Sequence, residues 1–224
     1  MKRFLSALVS LLICGTASAQ FGAHHLGVRA GIGITKLTNF ATNVSGATKL
    51  VTEMSFKPGL RIGVADQIRL LPAIPLFVET GLYLDHYGSS FTHNSAGTVK
   101  NIYRMGYLKV PALANYHISA TQELKFQVFA GPYYGLGAYG THKVKYRENG
   151  DKKKQKYDIF RDNIDAGSRQ QFTRSDFGLR VGVAATYDSY YLSIGCDCGL
   201  INTAKSRDSR ARTLGCFLTA GFDL

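Results

Sequence analysis

Hydrophobic residues recur at every second position in one segment of this chain after another, with glycine and charge filling the positions between. In HLGVRAGIGIT, Leu26, Val28, Ala30, Ile32 and Ile34 take one side, and Gly27, Arg29, Gly31, Gly33 and Thr35 take the other. A period of two with no helical stripe predicts a strand. The pattern returns around 60–65, 78–85, 107–116, 124–131, 177–185, 191–200 and 213–224, which gives eight strands and no amphipathic helix. Long polar connections fall at 38–56, 89–101, 141–174 and 201–211, and short ones near 70–73, 118–122 and 188–189. Long connections on one rim and short ones on the other are the layout of an outer-membrane barrel. The fold class expected is all-β: an eight-stranded antiparallel up-and-down transmembrane β-barrel with four long extracellular loops and short periplasmic turns.

Alternation alone also fits a soluble eight-stranded barrel, whose apolar face points into a ligand cavity. The other face decides between them. It carries Arg29, Arg61, Glu79, Asp85, Lys109, Lys125, Arg180, Asp197 and Asp223 among many glycines. Glycine weakens a strand unless something packs closely against it, and a narrow lumen supplies that reason, since long side chains opposite need the room. The mixed signs point to an interior ion network, with Arg29, Arg61, Glu79, Asp85, Lys109, Arg180 and Asp197 as its members. Charges on the apolar face, such as Asp66 and Arg104, fall near strand ends. An Arg or Lys at mid-bilayer would cost roughly 2–4 kcal/mol, so lipid is expected outside. The rival reading is a secreted or periplasmic lipocalin-like ligand-binding barrel, and a third is an outer-membrane barrel enzyme.

The N-terminus fits export. Lys2 and Arg3 precede an apolar run from Phe4 to Ile13, and Ala17-Ser18-Ala19 offers a cleavage site before Gln20. Residues 1–19 are read as a cleaved signal peptide and 20–224 as one barrel domain. Cys14 invites a lipoprotein reading, but Ile13 stands where a lipid-attachment motif has a small residue. The chain holds 27 Lys+Arg against 15 Asp+Glu, a formal net charge of +12. Between His142 and Arg174 lie ten Lys/Arg and five Asp/Glu without apolar periodicity, which reads as a long basic loop. Its residues Lys152, Lys153, Lys154 and Lys156 are candidate contacts for an anionic surface or partner: lipopolysaccharide phosphates, or an acidic protein or glycan. Nucleic acid is not expected, because no recognised module is present and the compartment is wrong.

Several stretches resemble the PorT-type outer-membrane β-barrel family common in Bacteroidetes: VRAGIGIT after the signal, KPGLRIGV, YLKVPALANY, FAGPYYGL, DFGLRVGVAATY and a terminal GFDL. The resemblance spans nearly the whole mature chain and implies an eight-stranded barrel with periplasmic termini. It also implies association with a secretion or cell-envelope complex. Where the family carries YLEIPLLxKY, this chain has Lys109 in place of the acid and Asn115 in place of the base, so the charge pattern of that strand is altered.

No catalytic set, cofactor or metal is expected. Gly135, Gly137 and Gly140 fit a dinucleotide fingerprint by letter, but no helix follows them to face a phosphate. The histidines are scattered; His86 and His93 with Asp85 are the nearest approach to an enzyme site. Pro111 inside a strand suggests a bulge or kink. In GCDCGL, Cys196 and Cys198 share the lipid face with Cys216, and are read as free thiols, with a Cys216 disulfide geometrically conceivable. Asp197 points the opposite way, toward a lumen arginine such as Arg29 or Arg180. The expected partners are outer-membrane lipid and lipopolysaccharide, the barrel-insertion machinery, and envelope or secretion-complex proteins.

Overall fold

A computed structural model describes residues 24–43, 49–52, 54–71, 73–94, 98–148, 151–161, 172–205 and 210–224. The signal-peptide expectation for residues 1–19 lies outside them. Ten strands run in chain order: β1 (His24–Asn43), β2 (Lys49–Thr52), β3 (Ser55–Arg69), β4 (Leu76–Asn94), β5 (Thr98–Ser119), β6 (Leu124–Glu148), β7 (Asp151–Asp158), β8 (Ser175–Tyr187), β9 (Tyr190–Gly199) and β10 (Arg210–Asp223). Eight of them close a ring in the order β1, β3, β4, β5, β6, β8, β9, β10, every neighbour antiparallel, and β10 returns to β1 from Gly27↔Asp223 to Ala41↔Arg210. The other two add to the far ends of ring strands, β2 to β1 and β7 to β6.

The alternation has the expected sense. Ile32, Ile62, Val183 and Ile194 lie on the outer surface at 64%, 61%, 55% and 58% exposure. A soluble ligand-binding barrel turns such residues inward; here they form the outer wall, while charge, amide and aromatic groups fill the inside. The turns near 70–75, 120–123 and 188–189 share one rim with both termini of the ring. The last of these is a two-residue hairpin loop in which Asp188 takes φ 53°, a left-handed conformation that short polar side chains tolerate.

At the opposite rim the structure departs from the sequence reading. Much of the segments 38–56, 89–101 and 141–174, expected as loops, is strand: β1 and β4 run on to Asn43 and Asn94, and β6 and β7 pair from Thr141↔Asp158 to Glu148↔Asp151. Beyond the apolar band of the outer wall a hairpin meets polar surroundings on both faces, so it pairs its backbone without any apolar period. A second departure concerns Pro111. The ladder loses rungs beside it, but Lys109 and Ala112 keep one register with β4, so no bulge forms there. The register shift falls instead where Gly106 pairs Tyr139 and Tyr107 pairs Gly137, leaving Ala138 as the extra residue of β6. Beyond it the odd residues of β6 point outward, where even ones did before.

The lumen is filled in three levels. Near the turns, Gln67, Glu79, Asn115 and Gln127 form an amide–carboxylate layer, and Arg29 pairs with Asp223 while lying 3.9 Å over the Tyr191 ring. Charged groups fill the middle. Toward the long strands an apolar and aromatic cluster includes Leu37, Tyr103, Met105, Tyr107 and Phe217. Ile159, Phe160 and Phe172, from the β7–β8 connection, fold into this level. Gly137 and Gly140 face them, which gives these two glycines of GLGAYG a packing role: a methyl at Gly137 would lie 2.6 Å from Phe160 Cζ.

A cross-lumen ion cluster as the candidate functional site

The middle level is built from register. Arg61 of β3 stands directly opposite Asp85 of β4, and Arg180 of β8 opposite Asp197 of β9. Arg61 donates from Nε to Asp85 Oδ1 and from Nη2 to Oδ2, both at 2.7 Å. Arg180 grips Asp197 the same way, at 2.7 and 2.9 Å. Each is a fork-on-carboxylate pair, the geometry in which guanidinium is strongest. In a ring of eight, β3 lies opposite β8 and β4 opposite β9, so the two pairs face each other across the lumen. They are cross-linked there: Arg61 Nη2 donates to Asp197 Oδ2 at 2.7 Å, and Arg180 Nη2 to Asp85 Oδ2 at 3.4 Å.

Lys109 of β5 joins from the side. Its Nζ donates to Asp197 Oδ2 at 3.1 Å and to the Tyr87 hydroxyl at 2.8 Å, and lies 3.6 Å from Asp176 Oδ2. It also sits over the Tyr133 ring at 3.8 Å. Tyr87 in turn donates to Asp197, and Tyr133 and Thr213 donate to Asp176. Arg61, Lys109 and Arg180 thus face Asp85, Asp176 and Asp197 in a neutral cluster with all six side chains buried. Burying charge is costly unless it is paired and hydrogen-bonded; this arrangement pairs all six groups, and Asp176 Oδ1 is the cluster's one buried oxygen with no hydrogen-bond partner among the described residues. Room comes partly from Gly215, where a methyl would lie 2.8 Å from ring carbons of both Tyr87 and Phe217.

Of the seven network residues expected, the structure brings together Arg61, Asp85, Lys109, Arg180 and Asp197. Arg29 pairs instead with Asp223 at the β1–β10 seam. Glu79 lies apart from the cluster and accepts from Gln67 Nε2 at 2.8 Å, Asn115 Nδ2 at 3.3 Å and the Tyr83 hydroxyl at 3.4 Å. Sequence reasoning missed Asp176, although one more step of the β8 alternation, from Arg180 through Gly178, reaches it. The hydroxyls of Tyr87 and Tyr133 carried no signal, because a tyrosine on an inward face reads as packing until its partner is known.

The remaining candidates separate. Asp85 points into the lumen, while His86 faces outward with Nδ1 2.9 Å from the Tyr139 hydroxyl, so the two do not form a site. The side chain of His93 lies outside the described residues. Among the described residues no three His, Cys, Asp or Glu are placed to hold a metal. Cys196 and Cys216, direct register partners on the outer wall, are joined in a disulfide, so the expectation of free thiols fails for these two. Cys198 is free and exposed. Lys153, Lys154 and Lys156 stand exposed on β7; Lys152 pairs with Arg147 through the backbone, and its side chain lies outside the described residues.

The family model described as outer membrane protein beta-barrel domain matches residues 18–205. The chain belongs to this family. Membership and the lipid-type outer wall together place the protein in the outer membrane. Among solved structures, the outer membrane protein OprG from Pseudomonas aeruginosa matches with a TM-score of 0.49 at 12% identity, over 91% of this chain and 97% of that one. Neisserial surface protein A gives 0.38 at 12% identity over 89% and 97%. The attachment invasion locus protein Ail of Yersinia pestis, in complex with the heparin analogue sucrose octasulfate, gives 0.35 at 9% over 89% and 99%. At these scores the likeness bears on no residue and no activity. No curated protein matches the chain.

Proposed function

We propose that this protein is a closed outer-membrane barrel that conducts no solute and acts through the strands and connections it raises above the membrane. The observation that carries the reading is the cluster of Arg61, Asp85, Lys109, Asp176, Arg180 and Asp197, which ties opposite walls together through the middle of the lumen. An ion crossing would have to part these buried charge pairs, and above them lies the apolar and aromatic level with Ile159, Phe160 and Phe172. The reading assigns no catalytic task. It includes export through a cleaved signal over residues 1–19 and insertion by the barrel-insertion machinery. Placement in a secretion or cell-envelope complex of the PorT type is the finer part of the reading. It is supported by the strand motifs quoted above and by the long extracellular pairs β4–β5 and β6–β7, which offer a partner extended backbone edges and side chains.

The test is reconstitution into planar bilayers with single-channel recording. The wild-type barrel is expected to give no stepwise current, and a steady ohmic conductance from folded protein would overturn the reading. For the complex, cross-linking of the intact barrel in its native membrane, followed by identification of the joined proteins, is expected to return envelope neighbours through β6–β7. Capture only through the periplasmic turns would reject that assignment.

A further inference from the structure

The β6–β7 hairpin pairs lysine with lysine. Lys143 stands opposite Lys156, and Lys145 opposite Lys154, while on the other edge of β6 Lys145 also faces Lys100 of β5. Directly paired residues of an antiparallel sheet share a face, and neighbouring strands lie about 4.8 Å apart. Two rows therefore cross three strands: Ile102, Lys143, Lys156, and above it Lys100, Lys145, Lys154. Arg104 stands outward one step below, in a row completed by Thr141 and Asp158. Among the described residues, none of the five lysines has an ion-pair partner. Asp158, at the foot of the grid, accepts at Oδ1 from the backbone N–H of Phe160.

Like charges placed directly opposite destabilise a strand pair. A hairpin that repeats the arrangement in two rows across three strands is organised for a ligand that supplies the missing anions. The direction of the grid says which ligand. The bulge at Ala138 turns the odd residues of β6 outward, so Lys143 and Lys145 continue the outer wall of the barrel, above Tyr139 and beside Ile102. Tyr139 is an outward aromatic, 46% exposed, of the kind that marks the membrane interface. Lys143 follows it by four residues, a climb of roughly 10 Å for a strand rising about 3.3 Å per residue and tilted by about 40°. That height lies in the headgroup layer, and the side chains face along the membrane plane rather than away from it.

We propose that Lys100, Lys143, Lys145, Lys154 and Lys156 form a docking surface for the phosphate groups of lipopolysaccharide in the outer leaflet. Lysine meets phosphate as a point charge with three donors. A plane of lysines one strand apart offers each phosphate two or three of them, and the apolar wall below takes the acyl chains. The proposal rests on the reading of an outer-membrane barrel acting at its extracellular side; it is independent of whether the lumen conducts.

The experiment places the full barrel in phosphatidylcholine nanodiscs and titrates diphosphoryl lipid A or its dephosphorylated form, with retained lipid counted by native mass spectrometry. The wild type is expected to bind the phosphorylated lipid at least tenfold more tightly than the dephosphorylated one, and to lose affinity as salt rises. A Lys100→Gln, Lys145→Gln, Lys154→Gln variant, checked for heat-modifiable migration on a gel, is expected to lose that preference. Equal binding of the two lipids by the wild type overturns the proposal and needs no variant. So does displacement of bound lipid A by millimolar inorganic phosphate, or tighter binding of a soluble sulfated glycan than of lipid A, since either places the site in the aqueous phase. A barrel that conducts yet prefers the phosphorylated lipid fails the proposed function and keeps this inference.

Discussion

At the scale of single residues, Asp197 has the largest burden in the lumen. It accepts from Arg61, Arg180, Lys109 and Tyr87 at once. Removing its carboxylate leaves three buried cations facing two anions, and breaking a buried charge pair on one side costs roughly 3–5 kcal/mol. Asp197→Ala is therefore expected to lower the unfolding midpoint sharply. Asp176→Ala should cost less, since Asp176 meets a single cation at 3.6 Å and otherwise accepts from Tyr133 and Thr213. With no tryptophan in the chain, urea titration in detergent followed by far-ultraviolet circular dichroism is the measurement. Equal midpoints for the two variants would contradict the ranking. The membership of Asp197 was legible from the sequence because strand parity alone turns it inward, away from its cysteine neighbours. Its partner was not, because parity gives a face and never a register, and register is what separates Arg180 from Arg29.

At the scale of elements, the ring strands announced themselves where their two faces meet different media, lipid outside and a packed lumen inside. Strand β7 and the upper part of β6 were hidden, because polar surroundings on both sides erase the period that a reader looks for. Ile159, Phe160 and Phe172 were hidden for a related reason: short apolar groups inside a polar stretch look incidental until the chain folds back over the mouth. The β9–β10 pair carries the most direct test of register. Cys196 and Cys216 are bonded and Cys198 is free, so an apolar thiol reagent applied to the unreduced barrel is expected to label Cys198 and neither of the other two barrel cysteines. After reduction all three should react, with the barrel still closed by its hydrogen-bonded seam. Labelling of Cys196 or Cys216 without reductant, read by peptide mass spectrometry, would show that the pairing is wrong.

At the scale of the whole molecule, closure depends on the terminal strand. β10 carries Leu218, Phe222 and Leu224 outward to the end of the chain, and pairs β1 from Asp223 upward. If the insertion machinery reads this apolar edge, Phe222→Asp combined with Leu224→Asp will leave the protein in the periplasm or degraded. Fractionation of expressing cells checks this, and unchanged recovery in the outer membrane would reject the role. The antiparallel ring was visible from the number and spacing of the alternating segments. The solid lumen was only half visible: the inward charges were evident, but neutralisation across the full diameter depends on which strands stand opposite.

Across that diameter the charges differ in what each needs in order to be neutralised. Arg61 and Asp85 belong to adjacent strands joined by a short turn, and so do Arg180 and Asp197. Each of these two pairs is therefore neutralised within its own hairpin, whereas Asp176 of β8 has its cation, Lys109, on β5. Lys109, on the β5–β6 hairpin, finds its carboxylates only on β4, β8 and β9, and Arg29 finds Asp223 only when first strand meets last. The charges of the lumen thus fall into two kinds: pairs held within one hairpin, Arg61 with Asp85 and Arg180 with Asp197, and contacts of Lys109 and Arg29 that only the closed ring provides.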